Sequence, residues 1–445
     1  MRFFSTSNKE RTLIRSSFKE VIMEGQAPDG GLYMPEYIPS FSEEELSSLS
    51  KCSLSECAYA LLSKYVEGEI PDTELKSLLN DAYTFEVPIQ PVYGEHSIMR
   101  LDEGPTASFK DIAAQAMARM VGYFLKQDKK ESVILVATSG DTGSAVAHAY
   151  HKIPGVTVVI LFPEGEVSER QRKQMTTLKD NVHAIAVKGK FDDCQRMVKK
   201  AFADTKLAEY PLTSANSINL GRLLPQASYY LYAYAQINKP LVYAIPSGNF
   251  GNMMGGMIAS RMGVPVVKFV IGVNDNDSFP LFLKTDTFSP ITPSRNSISN
   301  AMNVGHPSNL ARIVSLFGGT LDGAGNMEVQ PNMNEMRSEL VSVSVNDAET
   351  KAVMKKVYDE YGVILEPHGA VGWSALHEKH PELTAYPSIV IETAHPAKFN
   401  TTVKEVLNVE PPLPESISVP LSKEEEYTTI SSEYDEFVST LLKII

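Results

Sequence analysis

The chain has 445 residues, of which 43% are hydrophobic and 21% charged, and its formal net charge is −13. That length exceeds what one core fills, so two or three packed globular units are expected. The acidic balance excludes general affinity for nucleic acid or anionic membrane, leaving phosphate recognition only to a small, enclosed site, and no run approaches the ~20 apolar residues of a membrane span.

The opening Met1 to Glu10 lacks the apolar core of a signal peptide, so a cytoplasmic protein is expected. Cys52, Cys57 and Cys194 are odd in number and lack metal-ligand spacing, which argues against a disulfide framework or a metal site. Helical spacing recurs around positions 18–23, 43–49, 55–66 and 73–83, broken by a turn at 29–35. Pro88 and Pro91 stop that pattern, so residues 1–95 read as a mostly helical N-terminal unit. Nothing in it reads as catalytic.

The stretch 103–111 turns on Gly104 and Pro105 and delivers Lys110 to a helix start, after which Ile112, Ala113, Ala116, Met117, Met120, Val121 and Phe124 repeat at helical spacing. The positive end of the helix disfavours an ammonium. An amine biased toward neutrality is a nucleophile of the kind that forms Schiff bases with carbonyl compounds such as pyridoxal phosphate. A solvated lysine in an ordinary first turn has the same local sequence.

Short apolar runs at 133–137, 156–162, 182–187, 241–245, 266–273 and 388–393 then alternate with helical stretches. This α/β alternation predicts parallel sheets covered on both faces, with ligands at the loops beyond the carboxyl ends of the strands. The first such loop is Thr138-Ser139-Gly140-Asp141-Thr142-Gly143-Ser144. Its glycines, hydroxyls and helix start suit an anion, although Ser and Asp serve equally as helix caps. In the loop Pro246-Ser247-Gly248-Asn249-Phe250-Gly251-Asn252 the backbone amides form a nest for a phosphate, without the lysine of a P-loop or the spacing of a dinucleotide fingerprint.

Two further constellations are polar. Asn216-Ser-Ile-Asn219-Leu-Gly-Arg222 opens a helical run, where Arg222 and two amides suit bidentate phosphate binding and a capped helix with a surface arginine accounts for the same residues. Thr393 ends the strand at 388–393, where its hydroxyl is able to bond a heterocyclic nitrogen or a local carbonyl. His377 and His380 stand three apart, one short of shared zinc ligation, and read as a solvated helix end. The acidic run at 423–427 reads as a solvated face.

Together, Gly104 to Asp111, Ala137 to Gly143, Ser214 to Asn219, Pro246 to Gly251 and Thr393-Ala-His-Pro-Ala-Lys-Phe399 resemble the threonine synthases in order and separation. Gly30 to Pro35 is similar to the longer, microbial and fungal branch of that family. The resemblance implies a pyridoxal-phosphate enzyme of the tryptophan-synthase-β-like fold, fold type II. It further implies a smaller mobile α/β domain over 96–215, with Lys110 at the domain interface, and a larger cofactor-binding α/β domain over 216–445.

By the same resemblance, Lys110 holds pyridoxal 5'-phosphate as a Schiff base and shuttles protons. Gly248, Asn249, Phe250, Gly251 and Asn252 hold the cofactor phosphate, and Thr393 faces the ring nitrogen without keeping it protonated. Ser139, Asp141 and Thr142 receive the substrate carboxylate and its surroundings, while Asn216 and Arg222 take the substrate phosphate. The implied reaction, that of a carbon–oxygen lyase acting on a phosphate ester, takes O-phospho-L-homoserine and water to L-threonine and phosphate by γ-elimination and β-hydration. A serine or threonine dehydratase of the same fold would share the lysine and glycine loop, and a non-catalytic phosphate-ligand binding protein would share the nest. A monomer or weak dimer is expected.

Overall fold

A computed structural model describes residues 1–445. Its strands form where β-branched runs occur: every residue of Ser132–Ala137, Leu241–Pro246 and Ser388–Glu392 is buried, the signature of strands covered on both faces. Five strands make one sheet, in the order Thr428–Ser431, Val182–Lys188, Val156–Pro163, Ser132–Ala137, Leu212–Thr213, with every pairing parallel. Six make the other, in the order Leu340–Ser344, Val266–Val273, Leu241–Pro246, Ser388–Glu392, His96–Arg100, Ile89–Tyr93. Only the last pair of that sheet is antiparallel, and its edge strand carries Pro91, which has no amide for a further neighbour.

Helix starts follow local sequence closely. Ser17 with Glu20, Ser42 with Glu45, Ser53 with Glu56 and Asn346 with Glu349 each close a reciprocal capping box. The N-terminal unit holds the four expected helices, Phe18–Glu24, Glu43–Ser48, Leu54–Val66 and Asp72–Ala82. It also contains a three-stranded sheet of Phe3–Ser5, Leu13–Arg15 and Tyr33–Pro35, so the turn expected at 29–35 runs on into a strand. Strands of three residues carry too little alternation to read from sequence.

The hydrogen-bonded sheets do not follow chain order. His96–Arg100 pairs with Ser388–Glu392, and Thr428–Ser431 returns from the far end of the chain to Val182–Lys188. Strand pairing therefore crosses the divisions expected at 95 and 215. One continuous apolar core runs from Phe18, Ile22 and Leu61 through Met117 and Val121 to Leu224 and Tyr230, so the N-terminal helices pack directly on the helices that carry the site loops. Each such fully buried side chain contributes about 1.5–3 kcal/mol, enough to make that contact firm.

The acidic run at 423–427 is exposed as expected except at Glu425, which is half-buried, tied to Arg172 at 2.8 Å and accepting from Thr176 at 2.9 Å. His377 ends the helix Pro367–His377 but stacks on Trp373 with ring centroids 4.0 Å apart. All three cysteines are free, Cys57 and Cys194 being buried, and no group of three or more His, Cys, Asp or Glu has the arrangement of a metal site.

Candidate active site

Lys110 is the first residue of the helix Lys110–Asp128. The turn before it is locked by Asp111, whose buried carboxylate accepts from the Thr106 amide at 2.8 Å and its hydroxyl at 2.7 Å. Gly104 is required there, because a Cβ would stand 2.5 Å from Asp111 Oδ2. The same turn is zipped to the end of a distant strand: the Phe109 amide donates to the Thr393 carbonyl at 2.9 Å and the His395 amide to the Ala107 carbonyl at 3.1 Å. Lys110 and Thr393 are thereby held in fixed relation.

The Lys110 ammonium lies 3.6 Å from Oδ2 of Asp141, the first residue of the helix Asp141–Tyr150. Burial pushes the Lys110 amine below its ordinary range; Asp141 opposes the shift, and Lys398 and Arg222 add to it. Desolvation, more than the helix end, is therefore the main bias against the charged form of the amine. Burial also works against charge on Asp141, but Lys398 and Lys110 outweigh it and hold the carboxylate below its usual range. Lys398 Nζ lies 3.0 Å from Oδ1, and Gln171 donates to the same oxygen at 2.9 Å. Gln171 also closes the capping box of the helix Glu169–Thr176 with Ser168, which fixes its amide toward Asp141. A carboxylate so engaged is not a receptor for another carboxylate; the Asp141 side chain holds lysines.

Around Asp141, Thr138 Oγ1 accepts from the amides of Gly140 and Gly143 at 3.0 and 2.8 Å. This shapes a loop in which the amides of Ser139, Asp141 and Thr142 donate to nothing within the chain. Gly140 has φ 139°, and a Cβ there would stand 2.6 Å from the Gln171 side chain.

The loop at 247–252 is a second unsatisfied donor set. The amides of residues 248–252 make no hydrogen bond within the chain. Phe250 sits at φ 59°, left-handed backbone that a bulky residue rarely adopts, with its ring buried against Phe279 at 4.7 Å. Its contribution to the cavity is an amide. The Asn252 side chain is likewise spent on the loop, accepting from Ser247 at 2.6 Å and donating to the Pro246 carbonyl at 2.7 Å. Gly248 backs onto the segment at 300–304, where a Cβ would meet the Ala301 carbonyl oxygen at 2.8 Å. A cradle of open amides at the start of the helix Gly251–Arg261, without a side-chain cap, fits the phosphate of a cofactor.

Arg222 lies in the first turn of the helix Leu220–Ile237 and is buried. Its Nη1 donates to the Ala215 carbonyl at 2.5 Å, its Nε has no partner, and no carboxylate pairs with it. Burial lowers its pKa to about 10, still charged at neutral pH. A buried guanidinium without a counter-ion calls for an anion. Asn216 reaches the Ala137 carbonyl at 3.4 Å and leaves its Oδ1 unpartnered.

The N-terminal unit holds this segment in place. Asn219 donates to the Ile22 carbonyl at 2.9 Å, and a Cβ on Gly221 would stand 2.5 Å from Ile22. Arg312, fully buried, bonds the carbonyls of Tyr33, Ser217 and Ile218 at 3.1, 3.1 and 2.6 Å. Residues 1–95 thus buttress the loop that carries Asn216.

All twelve residues singled out from sequence line one cavity of about 640 Å³: Lys110, Ser139, Asp141, Thr142, Asn216, Arg222, Gly248, Asn249, Phe250, Gly251, Asn252 and Thr393. Sequence reasoning missed Lys398, Gln171, Glu366 and His368. Lys398 stood within the quoted string at 393–399, and Glu366 before Pro367 was legible as a helix cap; neither signal says what the side chain faces.

Three family models match the chain: "Pyridoxal-phosphate dependent enzyme" over residues 97–393, "Threonine synthase N terminus" over 2–83 and "Threonine synthase, C-terminal" over 369–440. The chain is 36% identical over 424 residues to the threonine synthase of Haemophilus influenzae, covering 94% of each. It is similar to the crystal structure of the pyridoxal-phosphate-bound threonine synthase of Brucella melitensis, with TM-score 0.92 and 32% identity over 100% of this chain and 99% of that one. The yeast threonine synthase structure gives TM-score 0.90 at 31% identity, covering 100% and 98%.

Proposed function

The chain belongs to the threonine synthase family of fold type II pyridoxal-phosphate enzymes, and on that premise we propose that it converts O-phospho-L-homoserine and water to L-threonine and phosphate. It would do so as a carbon–oxygen lyase acting on a phosphate ester. One observation carries this reading: two unsatisfied anion-binding sets, the amides of 248–252 and the unpaired Arg222, open into the cavity that holds Lys110. A cofactor phosphate and a substrate phosphate need two such sets.

When bound, pyridoxal phosphate supplies the electron sink for charge developing at the substrate's α and β carbons. The chain's residues do the rest. The amides of Gly248, Asn249, Phe250, Gly251 and Asn252 hold the cofactor phosphate, and Thr393 faces the ring nitrogen. Lys110 would anchor the cofactor through its Nζ, and its free amine would be the base that takes the α proton and then a β proton. Asp141 keeps Lys110 aimed into the cavity. Open amides and hydroxyls of Ser139 and Thr142 receive the substrate carboxylate. Arg222 and Asn216 would hold the γ phosphate and stabilise its charge as it leaves; Lys110 would return a proton to the γ carbon, water would add at the β carbon with its proton passing to the phosphate, and Lys110 would return the α proton.

The smaller unit, 96–215, brings the Ser139 loop over the substrate and excludes water until it is needed. The chain works in the cytoplasm as a monomer or weak dimer.

The test is incubation with O-phospho-L-homoserine, following phosphate and threonine together. Equal release of both is expected; 2-oxobutyrate without threonine would instead mark a dehydratase. A visible absorption band that persists in Lys110→Ala would remove Lys110 as the cofactor's anchor.

A further inference from the structure

Thr393 donates its hydroxyl proton into the protein. Its Oγ1 bonds Glu366 Oε1 at 3.1 Å, and Oε1 also accepts from the Gly369 amide at 3.0 Å. The other oxygen, Oε2, accepts from the His368 amide at 2.7 Å and from His368 Nδ1 at 2.5 Å. The tautomer of His368 is set independently, because the Ala301 amide donates to Nε2 at 3.2 Å and leaves the ring proton on Nδ1. All four lone-pair sites of the Glu366 carboxylate are therefore filled by donors. It also caps the start of the helix Pro367–His377, where the amides of His368 and Gly369 point at it.

The neighbouring carboxyl is different. Glu392 Oε1 accepts from the Glu366 amide at 2.9 Å, while its Oε2 is buried against Gly369 with no partner. Burial and then the charge of Glu366 push Glu392 well above the carboxylate range, against the pull of Arg100. Arg100 itself is committed to Asp102 by two bonds of 2.9 and 2.5 Å. Of the two buried carboxyls behind Thr393, Glu366 has donors on both oxygens and Glu392 leaves one oxygen bare.

We propose that Glu366 is a positioning residue that fixes the Thr393 hydroxyl as a hydrogen-bond acceptor toward the cavity, and thereby keeps a proton on the cofactor's ring nitrogen. This rests on the reading that Thr393 faces that nitrogen. With its proton given to Glu366, Thr393 offers the ring only lone pairs, which bond an N–H and repel a bare nitrogen lone pair. The chain nitrogen–H to Thr393 Oγ1–H to Glu366 needs no proton transfer. It reverses the expectation that a hydroxyl at this position leaves the nitrogen unprotonated, because the hydroxyl already donates to a buried carboxyl oxygen 27 residues away in sequence. A ring nitrogen that keeps its proton draws carbanionic charge more strongly.

The experiment is ¹⁵N NMR of the holoenzyme loaded with pyridoxal phosphate labelled at the ring nitrogen, at neutral pH. The wild-type resonance is expected at the pyridinium position, and Glu366→Gln and Thr393→Ala each move it to the neutral pyridine position while Thr393→Ser restores it. A wild-type resonance at the neutral position overturns the proposal, whether or not Glu366→Gln folds. A pyridinium resonance unmoved by Glu366→Gln but shifted by Thr393→Ala overturns the role of Glu366 and leaves the placement of the ring intact. A resonance indifferent to Thr393→Ala shows that Thr393 does not face the nitrogen. A chain that takes up no labelled cofactor, with no visible band to lose in Lys110→Ala, overturns the cofactor site itself.

Discussion

Lys398 and Lys110 share one carboxylate: Asp141 meets the first at 3.0 Å through Oδ1 and the second at 3.6 Å through Oδ2. The sharing keeps Asp141 ionised while limiting how much of its attraction reaches Lys110. Lys398→Met would leave Asp141 to Lys110 alone and remove a repelling cation, and both changes raise the pKa of Lys110. The apo protein's rate of reaction with pyridoxal phosphate, followed in the visible, is expected to shift its pH midpoint upward. An unmoved profile would show that Lys398 serves only to neutralise Asp141.

Arg222→Ala separates the two anion sites. A hydrogen bond to a charged group contributes about 1.5–3 kcal/mol, or roughly 10- to 150-fold, and that loss should fall on kcat/KM for O-phosphohomoserine. Affinity for pyridoxal phosphate, measured by fluorescence titration, is expected to hold. Equal losses in both would place Arg222 on the cofactor phosphate instead.

Gly248→Ala tests the amide cradle from the opposite side. The added methyl would meet the Ala301 carbonyl oxygen and the Met302 Cα at 2.8 Å, both backbone atoms that cannot step aside. Overpacking of this kind costs about 1–3 kcal/mol. Because the loop moves with it, cofactor affinity is expected to fall about tenfold or more. Unchanged cofactor binding would remove Gly248 from the phosphate site.

Acid stability should depend on His377. Burial against Trp373 pushes it down to about 4 from an ordinary 6.5, so below pH 6.5 the unfolded chain takes a proton that the folded chain refuses. Stability is therefore complete above 6.5 and declines as pH falls toward about 4. Allowing for partial solvent screening, the loss is about 2 kcal/mol. In urea unfolding at stepped pH, His377→Phe, which keeps the stack on Trp373, is expected to flatten that slope by this amount. An identical slope would assign the acid sensitivity elsewhere, with His395, also lowered by burial to about 4, the next candidate.

Legibility followed range along the chain. Glycines, prolines and small polar residues at strand ends impose turns by their own backbone preferences, and apolar spacing sets helix or strand, so Lys110 at a helix start and the amide loop at 247–252 were readable locally. Resemblance supplied the roles that local reading left open, including which phosphate Arg222 would take. The two-residue strand Leu212–Thr213 and the return of Thr428–Ser431 were not readable, since their pairing depends on strands far away.

By itself the sequence determined the inventory of this protein's site: an amine, two sets of donors and a hydroxyl, each at the end of an element whose local pattern put it there. Only the tertiary structure decided what each group feels. Lys398 reaches Asp141 across 257 residues, Arg312 ties Tyr33 to Ser217, and Glu366 accepts from the Thr393 hydroxyl. Turn and helix preferences act over a few residues, whereas desolvation and charge act through space, and they exist only once distant segments have packed together.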